Sequence, residues 1–278
     1  MDFRRLLICP GMQKAGTTWL HKTLALHPDF KMPFQKELDY LCFNSDSRKK
    51  YSTRLASKLT ETRRNPVATR WYAEFLADWE LLRYPRLFDH VGESFSADVS
   101  PSYGYAARDE VLKAATVIPK AKVVIILRDP VERAWSHARH AIGLLNIDDE
   151  MQRLAEYERF VKHNHRNRTL SQYPRIISDW LRGFGRRNLL VCFYDDLKDT
   201  PRAFIDDILS FAGASPFPEA LANQLEARHN EGAEIPIPDE LKRELRSRYT
   251  PMLQRLKRMV ETNVIRRRNL PCWLESLQ

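Results

Sequence analysis

The first apolar run in the chain, Leu6, Leu7, Ile8 and Cys9, is short and unbroken, the pattern of a strand buried on both faces. Pro10 and Gly11 end it. From Thr17 and Thr18 onward Trp19, Leu20, Thr23 and Leu24 recur at helical spacing, so Phe3–Leu20 reads as strand, tight loop and helix. Ser94–Val99 is a second strand, followed by a turn over Ser100–Gly104. Val123–Leu127 is a continuous β-branched run typical of a central parallel strand. Asp129 can cap and Pro130 can begin the helix that follows. Helices are predicted over Ile147–Asn164, Ser171–Phe184 (carrying Ile176, Ile177, Trp180 and Leu181) and Thr200–Gly213, with a buried strand at Asn188–Tyr194. Strands alternating with helices predict an α/β fold with a mainly parallel central sheet flanked by helices.

Two stretches depart from that alternation. Between residues 44 and 90, Trp71, Tyr72, Phe75, Leu76, Trp79 and Leu82 stand at helical spacing, which predicts a helical insertion whose aromatic stripe joins the core. From about 216 to 278 the chain is helical and charged, and Arg266–Arg268 reads as a solvated basic turn. The whole, residues 1–278, is read as a single domain. In Lys36–Phe43, Leu38, Tyr40 and Cys42 alternate with Glu37, Asp39 and Leu41. That predicts a short extended piece with Glu37 and Asp39 on one face. It follows the first strand–helix unit, where a doubly wound chain passes over the carboxyl ends of its strands.

The net charge of +9, with a pI near 9.4, favours an anionic partner without choosing among nucleotide, acidic substrate, nucleic acid and membrane surface. Lysine and arginine are scattered without an aromatic–basic ladder, which argues against nucleic acid. The four cysteines, Cys9, Cys42, Cys192 and Cys272, form no C-x-x-C pair and read as reduced thiols. No stretch matches a membrane span or a signal peptide, so a soluble, cytoplasmic protein without stable membrane insertion is expected. Neither metal-ligand spacing nor a carboxylate cluster suggests a metal.

The loop Gly11-Met12-Gln13-Lys14-Ala15-Gly16-Thr17-Thr18 nearly meets the Walker pattern, but its lysine sits two residues before the second glycine instead of after it. Free N–H groups at the start of the helix make this stretch a phosphate cradle. Arg128 stands at the end of the central strand, and the following helix puts Arg133 and Ser136, and Ser136 and His140, on common sides. An arginine and a hydroxyl so placed can hold a second phosphate; simple pairing of Arg128 with a carboxylate is the alternative.

These motifs together resemble the sulfotransferases that use 3′-phosphoadenosine-5′-phosphosulfate (PAPS), in the branch of heparan-sulfate-type enzymes and bacterial relatives. QKAGTTWL (Gln13–Leu20) is similar to that family's 5′-phosphosulfate loop. LRDPVERAWSHARH (Leu127–His140) is similar to its 3′-phosphate motif, with Arg128 and Ser136 at the family's spacing. The resemblance runs from about Leu6 to Gly213. It implies a P-loop-type three-layer fold and sulfuryl transfer from PAPS, leaving adenosine 3′,5′-bisphosphate, to a small-molecule, lipid-linked or glycan acceptor, at a hydroxyl more than an amine. Gln13, Lys14, Ala15, Gly16, Thr17 and Thr18 would hold the 5′-phosphosulfate, with Lys14 neutralising the leaving oxygen. Arg128 and Ser136 would hold the 3′-phosphate.

Lys36–Leu41 aligns with a Lys-Glu-x-His-Phe-Phe segment, which makes Glu37 the implied general base and Lys36, Asp39 and Tyr40 acceptor-side residues. Asp39 replaces the family's His, and Tyr40 and Leu41 its Phe pair. His137 and His140 are rival bases. A Lys-Gly-Arg loop found in relatives is missing, and Arg228 and Asn230 occupy its place. The competing reading is a P-loop nucleotide kinase or a nucleotide-binding protein without transfer activity.

Overall fold

The computed structural model describes residues 2–41, 57–77, 80–145, 147–226, 235–262, 264 and 270–276. Four strands, β1 (Leu6–Cys9), β2 (Ser96–Val99), β3 (Lys122–Leu127) and β4 (Leu189–Phe193), form an all-parallel sheet in the order β2-β1-β3-β4. The α/β fold with a parallel sheet is therefore present. Register runs Ile8 beside Asp98, Ile8 beside Val123, and Ile125 beside Val191. Val123 to Leu127 are wholly buried, because helices cover both faces and a parallel strand finds no water on either side.

The chain leaves β1 for β2 on one side and later returns to β3 on the other. That reversal makes the carboxyl ends of β1 and β3 a topological switch point, where open α/β sheets form their ligand crevice. α1 (Thr17–Leu26) follows β1, and α2 (Pro66–Leu76) carries the aromatic stripe. α3 (Arg108–Val117) lies between β2 and β3, and α4 (Pro130–Ile142) follows β3. α5 (Glu150–His163), α6 (His165–Thr169) and α7 (Tyr173–Phe184) lead to β4. α8 (Tyr194–Asp199), α9 (Pro201–Ala212), α10 (Asp239–Glu261) and α11 (Cys272–Glu275) follow β4.

Trp71, Tyr72 and Phe75 of α2 are buried as expected, with the Trp71 and Phe75 rings stacked 5.1 Å apart. The insertion is not one helix, however. α2 ends at Leu76 and the chain turns through 3-10 geometry over Leu81–Val91, with Pro85 inside. Leu82 is consequently 76% exposed instead of joining the stripe. Trp79, Cys42 and Arg266–Arg268 lie outside the described residues. Cys9 and Cys192 are buried and Cys272 is exposed.

α10 is anchored to the motif region by Arg246, whose Nη2 donates to Asp129 Oδ2 at 2.7 Å. Asp129 at the same time caps α4 by accepting from Val131 N–H at 2.9 Å. Among the described residues no helix is long and apolar enough to cross a membrane.

Candidate active site

The loop after β1 is built onto the sheet. Met12 N–H donates to the Ile126 carbonyl at 2.7 Å and Ile126 N–H to that of Gly11 at 2.8 Å, which continues the β1–β3 ladder past Cys9. Gly16 then caps α1 with φ +87°. A Cβ at Gly16 would stand 2.5 Å from Leu197 Cδ2 and 3.2 Å from the Tyr194 ring, so backbone and space both require glycine. The first N–H groups of α1 have no intrahelical acceptor and lie at the positive end of its dipole. Ala15 N–H is committed to the Met12 carbonyl at 3.0 Å. Thr17 is buried, and Gln13, Lys14 and Thr18 are half-buried.

Arg128, just past β3, reaches back over this loop. Its Nη1 donates to the Lys14 carbonyl at 3.0 Å, and its guanidinium lies over the Tyr194 ring at 4.8 Å from the centroid. Its own carbonyl accepts from Tyr173 OH at 2.7 Å. Among the described residues Arg128 has no carboxylate partner, so simple ion pairing is not what holds it. Most of its five donors remain to meet an oxyanion.

Ser136 is 9% exposed on α4. Arg133, three residues earlier, turns into the interior: it is fully buried, and its Nη2 donates to Asn167 Oδ1 at 2.6 Å and Ser171 Oγ at 2.8 Å. It braces α4 against α6.

Cations converge on the loop. Burial, with Arg128, Arg139 and Lys36 adding their charge, holds the Lys14 ammonium below the ordinary lysine pKa. Such crowding is offset when an anion enters. Lys36 Nζ donates to Thr18 Oγ1 at 2.9 Å and to Glu37 Oε1 at 3.0 Å. Burial and Lys14 lower the pKa of His140 while Glu37 opposes them, so the far end of α4 senses the same pocket. His137 is different: it is buried, and burial, aided by Arg133, pushes its imidazole down to about 3. It packs edge-on against Phe160 at 5.1 Å.

The Glu37 segment is not the extended piece its alternation predicts. Among the described residues the non-glycine positions with left-handed backbone are Lys14 (φ 70°), Glu37 (φ 59°) and Asp39 (φ 52°). Each such residue costs roughly 1–2 kcal/mol and is kept only where surrounding bonds over-determine it. Leu38 and Tyr40 are buried between half-buried Glu37 and Asp39, and the alternation ends at Leu41, which is buried as well.

Tyr40 is packed into the core. It is 1% exposed, its hydroxyl donates to the Glu80 carbonyl at 3.0 Å and its ring packs on Tyr84. Asp39 N–H donates to Ser100 Oγ at 3.1 Å, and its carboxylate accepts from the Ser102 hydroxyl. Arg228 and Asn230 lie outside the described residues.

Tyr194, Tyr173 and Arg139 belong to the site and were not singled out in the sequence. An aromatic residue closing the fourth strand and a cation three residues past Ser136 were the available signals.

The profile described as Sulfotransferase family matches residues 7–219, which contain the Gln13–Leu20 loop, the Leu127–His140 stretch and the Glu37 segment. The chain belongs to the sulfotransferase family. It is 26% identical over 219 residues to the mouse (Mus musculus) bifunctional heparan sulfate N-deacetylase/N-sulfotransferase 4, covering 74% of this chain and 22% of that protein. It is 24% identical over 220 residues to the human (Homo sapiens) enzyme 2 of that name, with the same coverage. The sulfotransferase-family chain thus spans about a fifth of the length of these curated relatives, 22% in each case.

Among solved structures, the sulfotransferase from Alicyclobacillus acidocaldarius superposes with TM-score 0.66 at 21% identity, over 96% of this chain and 97% of the other. The sulfotransferase domain from the curacin biosynthetic pathway gives TM-score 0.59 at 16% identity, over 96% and 98%. At these identities the likeness speaks for the fold.

Proposed function

We propose that this protein transfers the sulfuryl group of PAPS to a hydroxyl of a small-molecule, lipid-linked or carbohydrate acceptor, in preference to an amine. The observation that carries the reading is the convergence of Lys14, Arg128, Arg139 and Lys36 on a loop whose Gly16 leaves room no side chain can share. Cations gathered around unfilled amide donors fit a doubly charged phosphosulfate better than a neutral ligand. When bound, PAPS supplies the activated sulfuryl group and departs as adenosine 3′,5′-bisphosphate.

The residues divide the work by position. The amides of Gln13, Lys14, Gly16, Thr17 and Thr18 grip the 5′ end, with Ala15 shaping the turn, and Arg128 with Ser136 takes the 3′-phosphate. Glu37 accepts the acceptor proton, and the acceptor oxygen forms the new bond to sulfur as the bond to the leaving phosphate oxygen breaks. Lys14 offsets the charge that develops on that oxygen; such preorganised neutralisation is usually the largest single contribution to catalysis. Lys36 ties the Glu37 carboxylate to Thr18 and orients both.

Arg228 and Asn230 would add donor contacts by their position in the chain alone; the described residues on either side of them bond to the motif helices. Leu225 accepts from Trp19 of α1 at 3.1 Å and Ile235 from Trp135 of α4 at 2.7 Å.

No metal enters this scheme, and among the described residues no cluster of three His, Cys, Asp or Glu side chains is placed to hold one. The kinase reading needs a lysine after Gly16, where Thr17 stands. A cytoplasmic setting completes the proposal, since it keeps Cys9 and Cys192 reduced. The deciding experiment incubates the protein with sulfur-labelled PAPS and a metabolite extract. A labelled acceptor is the expected product; bisphosphate binding without any labelled product would leave only a nucleotide-binding relative.

A further inference from the structure

Asp98 is the last polar residue of β2, 1% exposed and beside Ile8 in the sheet register. A carboxylate there costs several kcal/mol unless it is fully hydrogen-bonded. It accepts three hydroxyls. Tyr84 OH donates to Oδ2 at 2.7 Å, Tyr103 OH to Oδ2 at 2.6 Å and Ser100 Oγ to Oδ1 at 2.5 Å.

Two of those hydroxyls have a second use. Ser100 Oγ accepts the Asp39 amide at 3.1 Å, and Tyr103 OH accepts the Tyr40 amide at 2.9 Å. A hydroxyl that donates its proton to a carboxylate turns its lone pairs outward, so Asp98 fixes the direction in which Ser100 and Tyr103 can accept. Asp39 and Glu37 are two of the three left-handed non-glycine residues described. The two amides held by this relay are therefore the bonds that sustain an unfavourable backbone beside Glu37.

We propose that Asp98 is a positioning residue for the transfer reaction: through Ser100 and Tyr103 it locks the backbone of Asp39 and Tyr40 and so sets the aim of the Glu37 carboxylate. The inference rests on the reading of Glu37 as the base. It assigns Asp98 no contact with donor or acceptor. The groups facing its carboxylate are Tyr84 from the turn before β2, Ser100 and Tyr103 from the turn after it, Asp39 from the site segment and Cys9 from β1. Burial raises the Asp98 pKa to about 6, with the hydroxyl donors opposing and the Asp39 charge assisting, so Asp98 is ionised and accepting at neutral pH.

The test compares Asp98→Asn, Ser100→Ala and Tyr103→Phe in the full chain. Each is expected to lower kcat by about 10-fold or more while leaving the Kd for adenosine 3′,5′-bisphosphate within about twofold, because the nucleotide cradle grows from β1 and β3. Hydrogen exchange at the Asp39 and Tyr40 amides should accelerate in all three variants, with exchange in the Gly11–Leu20 stretch unchanged.

Added to Glu37→Gln, Asp98→Asn should cost nothing further in kcat, since the carboxylate it aims is gone. Equal losses of kcat in the wild-type and Glu37→Gln backgrounds, or unchanged exchange at both amides, would overturn the proposal. Should Asp98→Asn fail to fold, Ser100→Ala and Tyr103→Phe decide alone. An active Glu37→Gln enzyme would fault the base assignment, whereas the exchange measurement reports on the relay independently.

Discussion

Lys36 Nζ stands 2.9 Å from Thr18 Oγ1 and 3.0 Å from Glu37 Oε1, so a single ammonium joins the first turn of α1 to the proposed base. Both side chains of the ion pair are part-exposed, and its worth to stability is small. Its worth is in direction. Glu37→Gln should bind adenosine 3′,5′-bisphosphate like the wild type and lose about 10²–10⁴-fold in kcat, the usual cost of a general base. Single-turnover kinetics beside calorimetric binding would check the separation; an unimpaired kcat would move the base elsewhere, with His140 next in line.

The second phosphate should be a recognition element. Adenosine 3′,5′-bisphosphate at about 100 times its Kd should stabilise the protein by about 2.7 kcal/mol, and ATP with Mg²⁺ should do markedly less. Arg128→Ala should weaken the bisphosphate far more than adenosine 5′-phosphate. Thermal shift with the three nucleotides distinguishes these outcomes, and equal stabilisation by ATP would revive the kinase reading.

Lys14 should report anion binding through its proton. Burial and the surrounding cations depress its pKa, and an anion beside it raises the pKa again. Binding then takes up a proton at any pH between the two values, so affinity weakens as pH rises through the free-state pKa. Calorimetry in two buffers of different ionisation heat should show this uptake in the wild type and none in Lys14→Ala. The same variant should lose about 10²–10³ in kcat, as when one charge-stabilising donor is removed.

Gly16→Ala should be far more damaging than Gly213→Ala. Both glycines have positive φ, +87° and +82°, but the added Cβ meets Leu197 at 2.5 Å in the first case and nothing within 4 Å in the second. The backbone penalty alone is about 1–2 kcal/mol, and only Gly16→Ala adds the clash and displaces the cradle. Urea unfolding gives the stability difference; nucleotide titration should show lost affinity in Gly16→Ala alone.

Tyr194→Phe should keep nucleotide affinity, since the ring beneath Arg128 remains, while Tyr194→Leu should cost about 0.5–2 kcal/mol of binding through loss of the cation–π contact. Equal affinities for Phe and Leu variants would reduce Tyr194 to packing.

Much of this was legible in the chain. Unbroken apolar runs at Leu6–Cys9 and Val123–Leu127 identify strands because burial on both faces leaves a polar residue nowhere to go. The lysine two residues before Gly16, and Arg128 eight residues before Ser136, mark the two proposed phosphate-binding elements because local spacing along a loop or helix is read directly from sequence. Of the predicted aromatic stripe, Trp71, Tyr72 and Phe75 are buried while Leu82 is exposed, since a helical period cannot report that the helix ends at Leu76 and 3-10 geometry begins at Leu81.

What the tertiary structure alone decided lies at long range. The packing of Tyr40 depends on Tyr84 and Glu80, some forty residues away; whether Arg128 met a carboxylate depended on Tyr194 and the Lys14 carbonyl. The left-handed backbone at Lys14, Glu37 and Asp39 has no sequence signature, because L-residues adopt it only when contacts from elsewhere offset its cost. Those contacts, Ser100 and Tyr103 among them, come from the turn after β2, some sixty residues further along the chain. Sequence by itself thus determined the sheet and the spacing of the loop and helix motifs, which local periodicity encodes, while the backbone of the Glu37 segment was decided by hydrogen bonds that exist only once the chain has folded.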